Sequence, residues 1–74
     1  MEEKFVIKPY GKSELARLYV KNPLSRRAAL DWINHEIASY PGLLPRLCEL
    51  GYHRGQHMFT IAQVRAIVDA IGEP

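Results

Sequence analysis

Three side chains of this 74-residue sequence have types and spacing that metal or nucleophile chemistry uses. Cys48, His53 and His57 form a C-x4-H-x3-H array, with His35 available as a fourth member. Zinc takes four nitrogen or sulfur ligands in a tetrahedron, and structural sites usually open with a paired C-x2–4-C. The chain has one cysteine. The array is therefore read as a buried structural Cys48 with surface histidines, and no metal or cofactor is expected. A nucleophilic Cys48–His53 or Cys48–His57 pair fares no better. Nothing orients the histidine, no oxyanion hole is marked, and no pocket of useful size is expected from so short a chain. Carboxylates are scattered over polar faces, and there is no Gly-rich phosphate loop. The sequence predicts neither an enzyme nor a small-molecule substrate.

The second constellation is electrostatic. The overall charge of +2 argues for no partner, but its distribution is uneven. Residues 4–27 carry Lys4, Lys8, Lys12, Arg17, Lys21, Arg26 and Arg27 against Glu14 alone, a net of +6. Residues 28–74 carry a net of −2, and Glu2 with Glu3 supplies the remainder. Such asymmetry can mark a phosphate-binding surface. Lys12, Arg17, Lys21, Arg26 and Arg27 are the candidate nucleic-acid contacts, with double-stranded DNA as the expected partner. Arg26 and Arg27 open a helix, where free amides and the positive dipole end also suit a phosphate oxygen. Beyond them only Asp31, Asn34 and His35 are polar enough to reach a base edge. The competing reading is a solvated basic face with no ligand. Six dispersed phenylalanines and tyrosines make no base-stacking platform.

The elements that position these residues are mostly helices. Phe5–Tyr10 alternates in part and ends at Pro9, which predicts an edge strand or extended arm over residues 1–11. Ser13 is the expected cap of a first helix reaching Tyr19, with Leu15, Leu18 and Tyr19 as its apolar stripe. Lys21-Asn22-Pro23 ends it. Ser25 caps a second helix to about Ile37, in which Ala29, Leu30, Ile33 and Ile37 face inward with Trp32 at the edge. A third helix is predicted over Leu43–Leu50, with all four leucines inward, Pro45 in its first turn and Gly51 as its stop. Tyr52–Met58 is a polar loop whose ends suggest a short hairpin or wing. The last helix begins at a T-x-x-Q capping box, Thr60 with Gln63, flanked by a Phe59–Val64 staple. Ile61, Val64, Ile67, Val68 and Ile71 form its predicted buried stripe, and Gly72 ends it. The expected fold is a single all-α or nearly all-α domain over residues 1–74, with four helices in a core of residues 12–72.

Lys12–Ile37 has the outline of a helix-turn-helix. Its turn, Val20–Leu24, has five residues, Pro23 and no glycine, which predicts an unusual angle between the two helices. Glu14-Leu15-Ala16 followed by Trp32-Ile33 also resembles generic bacterial helix-turn-helix domains. More of the chain resembles one group of short bacterial proteins of the Bacteroides type, classed as a domain of unknown function. The residues that carry this similarity are IKPYGKSELARLY, the Trp32-Ile33 pair, LGY at 50–52, FTxxQVxxI at 59–67 and the closing Gly72-Glu73-Pro74. It runs from Phe5 to Pro74 and implies a small helical protein without an assigned activity.

At this length the chain buries only about 60% of its unfolded surface, so stability is marginal. With 47% apolar residues it can still form one core without a disulfide. No apolar run approaches the roughly 18 residues of a membrane span. The acidic start lacks a signal-peptide pattern, so a cytoplasmic location and no membrane partner are expected. The alternative to DNA binding is a protein-interaction or homodimer surface on the apolar last helix.

Overall fold

A computed structural model of the chain describes residues 5–20 and 25–74. The element order is β1 (Tyr10–Gly11), α1 (Lys12–Tyr19), α2 (Arg26–Ser39), α3 (Leu43–Glu49), β2 (Met58–Phe59) and α4 (Ile61–Ile71). The fold is thus nearly all-helical. Lys21 and the rest of the glycine-free turn lie outside the described residues, except Val20 at its start.

Helix α1 packs chiefly on α2, while α3 bridges α2 and α4. Leu15, Ala16, Ala29, Ile33, Ile37, Leu43, Leu47, Phe59, Val64 and Ile67 meet in one core. Trp32 is half-buried and tilts against Tyr19, with ring centroids 5.8 Å apart. The Tyr19 hydroxyl donates to the Gly72 carbonyl at 2.5 Å and so ties the end of α4 to α1.

The caps explain where the helices begin and end. Ser25 accepts the Ala28 N–H at 3.1 Å, as a serine N-cap should. Thr60 Oγ1 accepts the Gln63 N–H and Gln63 Oε1 accepts the Thr60 N–H, which completes the predicted box. Helix α3 closes with a Schellman motif. The Tyr52 N–H reaches the Leu47 carbonyl and the Gly51 N–H reaches that of Cys48. Gly51 stands at φ 87°, a left-handed conformation that a side chain would strain.

Several expectations are corrected. Helix α1 begins at Lys12, because Gly11, not Ser13, is its N-cap. Glu14 reaches back to accept the Gly11 N–H at 3.1 Å. Leu18 is exposed. Of the four leucines of the third helix only Leu43 and Leu47 are buried, while Leu44 and Leu50 face outward. A helix of seven residues with one packed side buries its i, i+4 pair and little else. In α4 the buried face is Gln63, Val64, Ala66 and Ile67. It is rotated by about a quarter-turn from the predicted stripe, which leaves Ile61 49% exposed.

The predicted wing takes another form. Residues 52–58 make no hairpin of their own; β2 instead pairs antiparallel with β1, Tyr10 against Phe59 and Gly11 against Met58. The arm before β1 folds back, since the Tyr10 hydroxyl donates to the Val6 carbonyl and the Tyr10 ring stacks on Phe5.

Candidate functional site

The segment from Leu50 to Met58 sends Tyr52 into the core against Phe59, and hydrogen bonds fix the rest of it. Lys12 holds it from one side. Its main-chain N–H donates to the His57 carbonyl at 2.8 Å, and its ammonium donates to the Arg54 carbonyl at 2.9 Å. The same ammonium lies 5.0 Å from the centroid of the Tyr52 ring. Gln63 holds the segment from the other side. Its Nε2 donates to the Leu50 carbonyl, and its Oε1 also accepts from Gln56 Nε2 at 2.6 Å. Gln56 in turn accepts the His53 N–H and donates to the Met58 carbonyl. Lys12 and Gln63, 3% and 1% exposed, are the two buried polar side chains among the described residues. Both are spent on this one segment.

The fixed segment forms one wall of a cleft of about 500 Å³. Tyr52, His53 and Arg54 line that wall; α2 supplies Asp31, Asn34, His35, Ile37 and Ala38; α3 supplies Leu44 and Cys48. This corrects two expectations. A pocket of ligand size does exist, within the 300–1,000 Å³ usual for small-molecule sites. Cys48 is exposed rather than buried and borders the cleft. The Oδ1 atom of Asn34 is buried without a hydrogen-bond partner among the described residues, and His35 Nε2 lies 3.3 Å from the Ser39 hydroxyl.

Local charge perturbs the groups behind this wall. Burial, and then the Arg54 charge, lower the pKa of Lys12 from its ordinary value. Burial raises that of Tyr52; Arg54 opposes the shift and Cys48 adds to it. Among the described residues the single ion pair is Arg46–Asp69 at 3.5 Å, so Arg54 has no carboxylate partner there.

The five predicted nucleic-acid residues separate. Lys12 is buried under the loop and is not a surface cation. Lys21 lies outside the described residues. Arg17, in the last turn of α1, and Arg26 and Arg27, in the first turn of α2, are exposed at the connected ends of the two helices. None of the three pairs with a carboxylate among the described residues. The first turn of α2 carries no acidic residue.

Of the cleft residues, Asp31, Asn34 and His35 were legible as the polar face of a helix. Arg54 was not, because contacts remote in sequence, from Lys12 above all, place its loop. Among the described residues no three His, Cys, Asp or Glu side chains group as a metal site would require. No helix among them is long and apolar enough to cross a membrane.

Comparison with known proteins adds a family. The model of the family described as "Domain of unknown function (DUF4248)" matches residues 6–74. No curated protein and no solved structure matches the chain.

Proposed function

We propose, for a chain that belongs to the DUF4248 family, that α1 and α2 act as a helix-turn-helix-like module on duplex DNA. One observation carries the reading. Arg17, Arg26 and Arg27 stand exposed where α1 hands over to α2, with no carboxylate partner among the described residues. The α2 N-terminus they flank is capped by Ser25 and adds its free amides and dipole. Lys21 falls between these arginines in sequence and belongs to the same proposal; Lys12 does not. Asn34 and His35 are committed to the cleft wall, so the contact proposed is with phosphates, and base readout is minor. A bacterial, cytoplasmic setting goes with this reading.

The test is duplex affinity as a function of salt. Each phosphate contact contributes a slope of about −0.9 in log K against log salt. Arg26→Gln/Arg27→Gln should therefore flatten the slope by about two and weaken binding to all sequences alike. No binding at low salt, or the same slope in the variant, sinks the proposal.

A second reading, a protein or homodimer interface, is favoured by Met58 and Ile61. They are 56% and 49% exposed and three residues apart at the entry to α4. Light scattering of wild type and Ile61→Asp decides it: a monomer in both leaves no homodimer there.

A further inference from the structure

We propose that the cleft between α2, α3 and residues 52–54 binds a monocarboxylate borne on a compact apolar group, with Arg54 as its anion partner. The acid is either free or the carboxyl terminus of a peptide; both offer the same chemistry. The inference is independent of DNA binding, since it uses a different surface.

An apolar cleft of ligand size, a guanidinium unpaired among the described residues, the scaffolding behind it and local charge converge on this ligand class. The volume of about 500 Å³ is that of a small-molecule site, and much of the lining is apolar. Leu44 lies at the border of the cleft and is 40% exposed, an aliphatic surface that a ligand side chain would cover. Arg54 lines the cleft without a carboxylate partner among the described residues. A guanidinium there offers the planar donor pair that a carboxylate accepts in bidentate fashion.

The scaffolding of Arg54 supplies the third observation. Its carbonyl is fixed by Lys12, and the turn around it by Gln56, which Gln63 holds in turn. Binding sites work when such supporting contacts fix the groups that touch the ligand. Burying a lysine and a glutamine to hold an exposed polar loop has no comparable return for the core, since buried polar groups cost more than apolar ones.

Local charge supplies the fourth. The Lys12 ammonium is close enough to Arg54 to feel its charge. Lys12 stands behind the loop on the Arg54 carbonyl, and Arg54 is the permanent cation among the residues that line the cleft. Asp31, on the α2 wall, repels any anion, but a dianion about twice as strongly as a monoanion, which favours a carboxylate over phosphate.

N-acetyl-leucine, its uncharged amide, acetate and inorganic phosphate are titrated into the full chain. Backbone amide NMR shifts at Ala38, Cys48 and His53 report occupancy, and protection of Cys48 from iodoacetamide reports it independently. N-acetyl-leucine should shift these signals saturably. Its amide should bind about tenfold more weakly, as should N-acetyl-leucine to Arg54→Gln, because the charge-assisted pair is gone. Arg65→Gln, on the exposed side of α4, should leave the affinity unchanged, and thermal melts confirm that both variants fold. Acid and amide binding alike, an unaffected Arg54→Gln, phosphate binding as tightly as the acid, or shifts outside the cleft would each overturn the proposal. 4-Methylpentanoate and a tetrapeptide ending in leucine then separate the sources. Tighter binding of the first indicates a free acid and of the second a peptide terminus, while binding of neither overturns the site.

Discussion

The ammonium of Lys12 and the main-chain carbonyl of Arg54 are joined by a 2.9 Å hydrogen bond across 42 residues of sequence. Because the Lys12 N–H also donates to the His57 carbonyl, one residue at the start of α1 sets both ends of the segment 54–57. A charge-assisted bond to a carbonyl contributes roughly 1.5–3 kcal/mol, part of which offsets the desolvation of the ammonium.

Lys12→Met keeps the apolar stem and removes the charge. It should cost about 1–2 kcal/mol in urea denaturation. The local effect should exceed the global one, with the Gln56 amide, bonded to the His53 carbonyl, exchanging faster with solvent. Unchanged exchange at Gln56 would mean that the loop holds its shape without Lys12.

Gln63 is the second strut. Its side chain accepts from Thr60 and Gln56 and donates to Leu50. Gln63→Leu fits the volume but strands three partners, and a buried partner left unsatisfied costs about 1–3 kcal/mol. The expected loss is about 3 kcal/mol, against about 1 kcal/mol for Thr60→Ala, which removes only the cap. Equal losses for the two variants would show that Gln63 acts only as a local cap.

These two residues also mark the limit of what the sequence discloses. Capping and stopping are local, so Ser25, Thr60 with Gln63, and Gly51 were legible from neighbours within a few residues. Lys12 in Tyr10-Gly11-Lys12-Ser13 reads as a solvated cation. Its burial follows from the pairing of Gly11 with Met58, which no periodicity announces. Gln63 was legible as a cap but not as a core residue. A stripe drawn from large apolar residues alone passes over Gln63 and Ala66, which in fact occupy the buried face of α4. The error carried Ile61 inward and hid the exposed junction at Met58. The cleft was illegible for the same reason as Lys12, because its loop wall is placed by contacts remote in sequence.

The rotation of α4 is open to a direct stability contrast. Ile33→Ala empties a fully buried site and should cost about 2–5 kcal/mol. That is a large share of the roughly 5–15 kcal/mol a whole domain holds. Ile61→Gln, in an element predicted from sequence to be equally apolar inside, should change stability by no more than about 0.5 kcal/mol. A loss above about 2 kcal/mol for Ile61→Gln would restore the original stripe.

Tyr19 gives a pH signature. Its pKa is pushed up from 10.0 to about 12 by burial first and by the Glu73 charge second. A phenol whose folded pKa lies above its unfolded value holds its proton longer when folded, so its contribution is fully present below pH 10.0 and disappears as pH rises through about 12. Lys12 acts in the opposite sense. Its folded pKa is lowered from 10.5, so the unfolded chain binds the extra proton and stability rises with pH until 10.5 is passed. Above that point the lysine effect is complete, and the loss comes from the tyrosines whose pKa burial raises, Tyr19 and Tyr52. Tyr19→Phe loses the bond to the Gly72 carbonyl and should cost about 0.5–1.5 kcal/mol at neutral pH. The variant should also lose stability less steeply than wild type between pH 10.5 and 12. Urea titrations across that range measure both effects, and parallel curves for the two proteins would assign the alkaline loss to another group, Tyr52 first, whose pKa burial also raises.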